Sequence, residues 1–330
     1  MSNSCVIVGA GISGLLAARE LQSTGCTVTV LDKGRGVGGR MATRRVGGAS
    51  FDHGAQFFTV RSERFQDLVS GWLEAGVARE WTRGFAGASG EINEDGHPRY
   101  RGSEGMTSIP KYLARGLDVR TGERAARVER REGGWEVACE SGARFGGSAL
   151  LLTAPVPQSL ALVSLGNFEL PGEIQRQLEA VSYDPCLALM ARLDGPVAVP
   201  EPGGMQIKGE PLDWISDNYR KGISQQPALT IHAGPEWSRK HYDEDEAGIT
   251  GSLLSLAGER LDLDLAERVL ETSLARWRYS WISTPHPESY LLASGDPPLL
   301  FAGDAFGPGK VEGAALSGLA AADHLLGREA

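Results

Sequence analysis

Apolar residues fall in short runs and stripes whose spacing predicts most of the elements. Residues 5–9 are a run rich in valine and isoleucine, the composition of a strand buried on both faces. Ile12, Leu15, Leu16 and Leu21 then recur at helical spacing as far as Gly25, a residue suited to ending a helix. Residues 27–31 return as a strand. Between 62 and 81, Phe65, Leu68, Val69, Trp72, Leu73 and Val77 form another helical stripe. The polar, glycine-rich stretch 84–101 predicts a hairpin or loop, and 105–117 a short helix with cap-like Thr107 and Ser108 and Pro110 in its first turn. Residues 127–130 and 135–139, broken at Gly133-Gly134 and Ser141-Gly142, read as a β-meander, and 149–153 as a buried strand stopped by Pro155 and Pro157. Beyond 160 the pattern predicts helices over 171–181 and 266–277, strands over 186–193 and 229–233, and an irregular connection over 196–211. The chain closes, over 298–326, on a buried strand, a Gly303-Asp304 turn, a glycine-rich loop and a helix of small residues.

This order predicts an α/β protein. A Rossmann-type nucleotide-binding domain with a β-meander insertion would be assembled from residues 1–65, 100–160 and 285–330. Residues 66–99 and 161–284 would form a smaller α+β substrate-binding cap. A length of 330 residues, more than one ordinary core accommodates, agrees with two domains.

Composition narrows the partners. With 41% hydrophobic and 23% charged residues the chain has ordinary globular character. Its net charge of −9 argues against a nucleic-acid or anionic-membrane surface. No apolar run approaches bilayer length and the first strand begins at Cys5, so a cytoplasmic protein, monomeric or weakly dimeric, is expected. Cys5, Cys26, Cys139 and Cys186 are widely spaced and form no CxxC, which gives no support to a metal site.

The chemistry is concentrated at the two ends. In GAGISG, Gly9 permits the tight turn, Gly11 lets backbone approach a pyrophosphate, and Gly14 lets the helix pack closely on the strand; Ile12 and Ser13 lie at the helix N-terminus, where anions are favoured. Asp32 ends the second strand, where a carboxylate can accept from a ribose. Residues 33–58, KGRGVGGRMATRRVGGASFDHGAQFF, are dense in glycine and carry four arginines, of which Arg40 could reach the pyrophosphate. The final strand, turn and helix form a second anion-binding arrangement. Signatures at both ends suit FAD better than the shorter reach of NAD.

An early GxGxxG followed by DKxxxxGGRM resembles the flavin-dependent amine oxidase and renalase group. GRMATRR, FDHGAQFF, GMTSIPKYLA, WISDNYRKG, LTIHAGPEW, RWRYS and the final FAGD extend the resemblance, especially to bacterial renalases, over nearly the whole chain. It implies a fold similar to p-hydroxybenzoate hydroxylase and the amine oxidases, with FAD held non-covalently. Contacts would come from the three motif glycines, Ile12, Ser13, Asp32, Lys33, Gly39, Arg40, Met41, Gln56, Phe57, Val128 near the adenine, Gly303, Asp304, Glu312, Gly313 and Ala314. It further implies oxidation of 2-dihydro or 6-dihydro isomers of NAD(P) to NAD(P)+, with hydride passing to the flavin and O2 becoming H2O2. Asn218 and His232 would position the nicotinamide and Trp277 would shape the pocket. Phe57, Thr59, Arg61, Arg99 and Tyr219 are candidate substrate contacts, and Arg220 and Lys221 candidate phosphate holders. The alternatives are an FAD-dependent oxidase of a small amine and a flavin-binding protein without turnover. Half of all tryptophans and tyrosines fall between Trp214 and Trp281, which suggests an aromatic lid.

Overall fold

The computed structural model describes residues 4–87 and 90–328, the side chain of Asn93 excepted; positions 88 and 89 of the expected hairpin therefore lie outside the described residues. The opening unit is β1 (Ser4–Val8), α1 (Ile12–Ser23) and β2 (Thr27–Asp32). A short hairpin follows, β3 (Thr43–Val46) and β4 (Ala49–Asp52), then α2 (Glu63–Glu74), whose N-cap Ser62 accepts from the Phe65 N–H. The stretch expected to extend that helix to Trp81 instead turns at Gly76 into β5 (Ala78–Ala86), which pairs with β6 (Ile92–Gly102). After α3 (Ser108–Leu113) and β7 (Asp118–Thr121) comes the meander, β8 (Ala125–Arg131), β9 (Gly134–Cys139) and β10 (Arg144–Gly147). Next are β11 (Ala149–Leu152), α4 (Val156–Ser164) and α5 (Gly172–Glu179).

The later half begins with β12 (Ser182–Leu193), β13 (Gly204–Gln206), β14 (Leu212–Asp217) and β15 (Ala228–Ala233). Then come α6 (Pro235–His241), α7 (Glu246–Leu261), the single turn α8 (Leu265–Arg268) and the long β16 (Val269–Thr284). The chain ends with β17 (Leu291–Gly295), β18 (Pro298–Phe301) and α9 (Lys310–Leu325).

Two sheets organise the molecule. The first runs β17-β18-β11-β1-β2-β7, parallel apart from β17. Ile7, Leu151 and Leu300 face α1, α2, α3 and α9, while Val6, Leu150, Leu152 and Phe301 face the meander, α4 and α5. Both faces are apolar because both are covered. α2 and α5 thus bury their apolar residues around this sheet, although the sequence pattern suggested grouping them with the cap. The second sheet runs β16-β12-β15-β14-β13-β5-β6. Along β12, Leu187, Leu189 and Ala191 face α7, whereas Cys186, Ala188 and Met190 face Ala49 and Phe51 of the β3–β4 hairpin. That hairpin links the region of the first sheet to the second sheet.

The helix expected over 266–277 is corrected. Asp264 caps only one turn, accepting from the N–H groups of Ala266 and Glu267, and the chain then pairs antiparallel with β12 from Val269 onward. Thr272, Trp277, Tyr279, Trp281 and Ile282 supply the β-branched and aromatic character, and long-range pairing overrides a local stripe that fits 3.6 residues.

Candidate active site

The opening turn meets the requirements of its glycines. Gly9 has φ +117°, and a Cβ on Gly14 would lie 2.0 Å from the Gly9 carbonyl oxygen, so the helix packs at glycine distance on the strand. A Cβ on Gly11 would meet nothing within 4 Å, leaving backbone open to a ligand. Beside it, buried Ser13 on the first turn of α1 has a hydroxyl with no partner. Asp32 Oδ2 accepts from Ala10 N–H and Oδ1 from Gly34 N–H, both at 2.7 Å, which holds the two loops together. An open glycine, an unpartnered hydroxyl at a helix N-terminus and an acid at the end of β2 are a donor and acceptor set that fits the pyrophosphate and ribose of FAD.

The far end of the cofactor site is made by the last motif. Arg40, following Gly38 and Gly39, makes a bidentate ion pair with Asp304 and donates to the Tyr279 carbonyl at 3.2 Å. Gly303 N–H donates to Ser317 Oγ of α9 at 2.8 Å. Glu312 Oε1 accepts from Ser62 N–H at 2.8 Å and Ser62 Oγ at 2.7 Å, so its carboxylate joins α9 to α2; the Gly313 N–H is bonded to the Gly309 carbonyl at 2.8 Å, and a Cβ on Gly313 would lie 3.2 Å from Pro308. The side chains of Ile12 and Met41 belong to the core beside α1, and the Val128 side chain of β8 is fully buried between the meander and the first sheet. Lys33 Nζ donates to Gln158 at 3.1 Å.

Across the hairpin lies a dense polar cluster. Asp52 and Lys221 are completely buried, 2.7 Å apart. Asp52 Oδ1 accepts from Thr43 Oγ1 at 2.6 Å and Met106 N–H at 2.8 Å; Lys221 Nζ also donates to the Gln56 carbonyl at 2.7 Å and lies 4.7 Å from the Trp81 ring centre. Gln56 and His232 approach at 3.4 Å, and Trp277 Nε1 donates to the His53 carbonyl at 2.8 Å with its ring edge-on to His53. Burial, then the neighbouring His53, holds His232 down to about 3; burial, then Arg44, holds His53 down to about 4. Both rings are therefore neutral near pH 7.

The structure brings His232, Trp277 and Gln56 together, and it relocates other expected site residues. Lys221 is an internal cation bound to Asp52, not a phosphate holder at the surface. Asn218 is fully buried with its amide engaged: Nδ2 donates to Thr230 Oγ1 at 2.9 Å and Ala228 O at 3.2 Å, and Oδ1 accepts from Asp52 N–H at 3.4 Å. It braces the hairpin against the sheet. Arg99 is paired with Asp95 and Arg220 with Glu201, and Tyr219 and Arg61 are exposed. Phe57 packs 4.9 Å from Phe85 and 5.7 Å from Trp214, and Thr59 follows it half-buried. The aromatic lid resolves into separate groups: Trp214 belongs to this wall, Trp237 stacks on His241, and Trp281 is exposed. Asp52 and His53, both inside the quoted FDHGAQFF, were the residues sequence reasoning missed. An acid and a histidine at the end of an apolar strand were the available signal.

The two buried rings predict a pH-dependent stability. Each has an ordinary value of 6.5, so between there and about 4 the unfolded chain binds more protons than the folded one. Stability is complete above 6.5 and falls as the pH drops through that window, by about 2 kcal/mol per ring at pH 5. Urea unfolding at pH 7 and 5 checks this: in His53→Gln or His232→Gln the drop should shrink by about 2 kcal/mol. An unchanged drop would rule the explanation out.

The family description "Flavin containing amine oxidoreductase" matches residues 62–326. The chain belongs to this family. An NAD(P)-binding Rossmann-like domain also matches, over residues 7–72. Among curated relatives of this flavin containing amine oxidoreductase, renalase of Mus musculus is 25% identical over 88% of this chain and 92% of its own length. Hydroxyneurosporene desaturase of Rubrivivax gelatinosus is 46% identical over 56 residues, 17% of this chain and 11% of that protein. A solved putrescine oxidase variant superposes with a TM-score of 0.75 at 16% identity, covering 99% of both chains. The wild-type putrescine oxidase bound to putrescine gives 0.73 at 16% identity, covering 99% of this chain and all of that one. The protein is an FAD-dependent oxidoreductase. Among the described residues no helix is long and apolar enough to cross a membrane.

Proposed function

We propose that this flavoprotein oxidises 2-dihydro or 6-dihydro isomers of NAD(P) to NAD(P)+. Overall, dihydro-NAD(P), O2 and one proton become NAD(P)+ and H2O2. Bound FAD supplies the two-electron acceptor and returns the electrons to O2. The observation that carries the reading is the electrostatic state of the cluster across the hairpin. His53 and His232 are neutral, and Asp52 and Lys221 are engaged with each other. Such a site offers no strong base at neutral pH. Oxidation of a dihydropyridine suits it, because the ring becomes aromatic as hydride departs and positioning is the main task left to the protein.

Trp277, held by the His53 carbonyl, would wall the pocket, and His232 would orient the ring. FAD itself would be retained without a covalent bond, by Ser13, the open backbone at Gly11, Asp32 and the Arg40–Asp304 pair. The mouse renalase similarity, which spans most of both chains, supports the same reading.

Anaerobic mixing of the yellow protein with 2-dihydro-NAD, 6-dihydro-NAD, NADH and a panel of amines tests it. Fast bleaching by a dihydro isomer, followed by H2O2 when air is admitted, is expected. Bleaching by amines alone would replace the proposal with a small-amine oxidase. His232→Ala should slow bleaching at least tenfold, equivalent to about 1.4 kcal/mol of transition-state positioning, with flavin content unchanged. An unaltered rate would remove His232 from the mechanism.

A further inference from the structure

Gln56 is expected, by family resemblance, to contact the cofactor, but its amide is surrounded by partners that distinguish its two ends. Nε2 lies 2.6 Å from the Asp52 carbonyl oxygen and 3.2 Å from that of Gly54, groups that only accept. Oε1 accepts from Ser216 Oγ at 2.9 Å and has Lys221 Nζ, which only donates, at 3.5 Å. A flipped amide would turn its oxygen towards two carbonyls and its N–H groups towards an ammonium. One orientation is therefore fixed.

That orientation constrains the histidine. Gln56 Nε2 is 3.4 Å from His232 Nε2, and an amide nitrogen cannot accept a hydrogen bond. A proton on His232 Nε2 would point at N–H groups. A neutral imidazole carries a single N–H, so the proton left to this ring belongs on Nδ1.

We infer that Gln56 is a positioning residue that fixes the tautomer of His232, with the proton on Nδ1 and the lone pair of Nε2 turned to the Gln56 amide. Lys221 supports the arrangement by holding the Gln56 backbone carbonyl at 2.7 Å, and Asp52 does so by holding Lys221. Two regions far apart in sequence, residues 52–56 and residues 216–232, thus converge on one proton. His232 would then meet a bound ligand as an uncharged ring with no proton to give from Nε2. Only this consequence rests on the proposed role of His232 in substrate positioning; the tautomer is a property of the protein alone.

Long-range proton–nitrogen NMR on the FAD-loaded protein with labelled histidines decides it. The six histidines give few signals, and His232 is assigned by the loss of its resonances in His232→Gln. The wild type is expected to show protonated Nδ1 and unprotonated Nε2 at neutral pH. In Gln56→Glu an oxygen replaces the amide nitrogen and can accept from Nε2–H, so the protonated nitrogen should interchange or both should carry protons. A wild-type spectrum with the proton on Nε2 would overturn the assignment outright, whether or not the variant folds. A folded Gln56→Glu that keeps the wild-type tautomer would overturn the role of Gln56. Neither spectrum involves a substrate, so failure here is separate from failure of the dihydro-NAD(P) reading.

Discussion

Lys221→Met is expected to destabilise the FAD-loaded protein by roughly 3–5 kcal/mol, the usual consequence of leaving a buried charge without its partner. Asp52 would remain at zero exposure with, among the described residues, Thr43 Oγ1 and the Met106 N–H as its donors, neither of them charged. Much of an ordinary folding free energy of about 5–15 kcal/mol would be lost. The carboxylate also joins three regions, since Thr43 belongs to the hairpin, Met106 precedes α3, and Lys221 lies between β14 and β15. Its unbalanced charge should therefore loosen the contact between the two sheets. Adding Asp52→Asn to Lys221→Met removes both charges and should recover most of the loss, because replacing a whole buried pair costs far less than breaking it. Urea unfolding of the three proteins reads this directly. A single variant as stable as the wild type would show that the ion pair is not a structural link.

The location of that pair shows which features the sequence could and could not disclose. The ends of the chain were legible because phosphate binding imposes local rules: a strand, three glycines and a helix must be contiguous, and the acid must end the next strand. Gly9, Gly11, Gly14 and Asp32 satisfy those rules within one βαβ unit, and the structure places them accordingly. Lys221 obeys no such rule. Its neighbours Tyr219 and Arg220 are a surface residue and an ion-paired arginine, so nothing local separates it from a solvated lysine. Its burial comes from Asp52, 169 positions earlier. The same limit explains β16, where 266–277 fits a helical stripe and only pairing with β12 reveals a strand. By contrast, α7 was locally legible and went unread: Asp245 caps it, and Ile249, Leu253, Leu254 and Ala257 recur on one face. The site lies where local motif and distant pairing meet. The FDHGAQFF segment was visible as a motif, but the roles of Asp52, His53 and Gln56 are set by β14, β15 and β16.

Asp304→Ala tests the other clasp of the fold, and its effect should fall on the cofactor more than on the chain. Asp304 follows the last strand of the first sheet, and its carboxylate is engaged by both terminal nitrogens of Arg40, from the glycine loop near the start of the chain. Arg40 is only partly buried, and the Tyr279 carbonyl at 3.2 Å remains as an acceptor, so the folding penalty should be smaller than for Lys221. The guanidinium would nevertheless lose the pair of bonds that fixes its plane, and with them its fitness to hold the proposed cofactor. Truncating one partner of a hydrogen-bonded charge pair typically costs about 2 kcal/mol or more, so FAD affinity should weaken by about 30-fold. Bound flavin per protein after gel filtration, with titration of the apoprotein by FAD, measures that loss, and the urea midpoint of the apoprotein serves as the control for folding. Full flavin retention would mean that Arg40 is aligned by Tyr279 alone. A fall in the apoprotein midpoint matching the loss of affinity would instead make the Arg40–Asp304 pair a brace between the two ends of the chain.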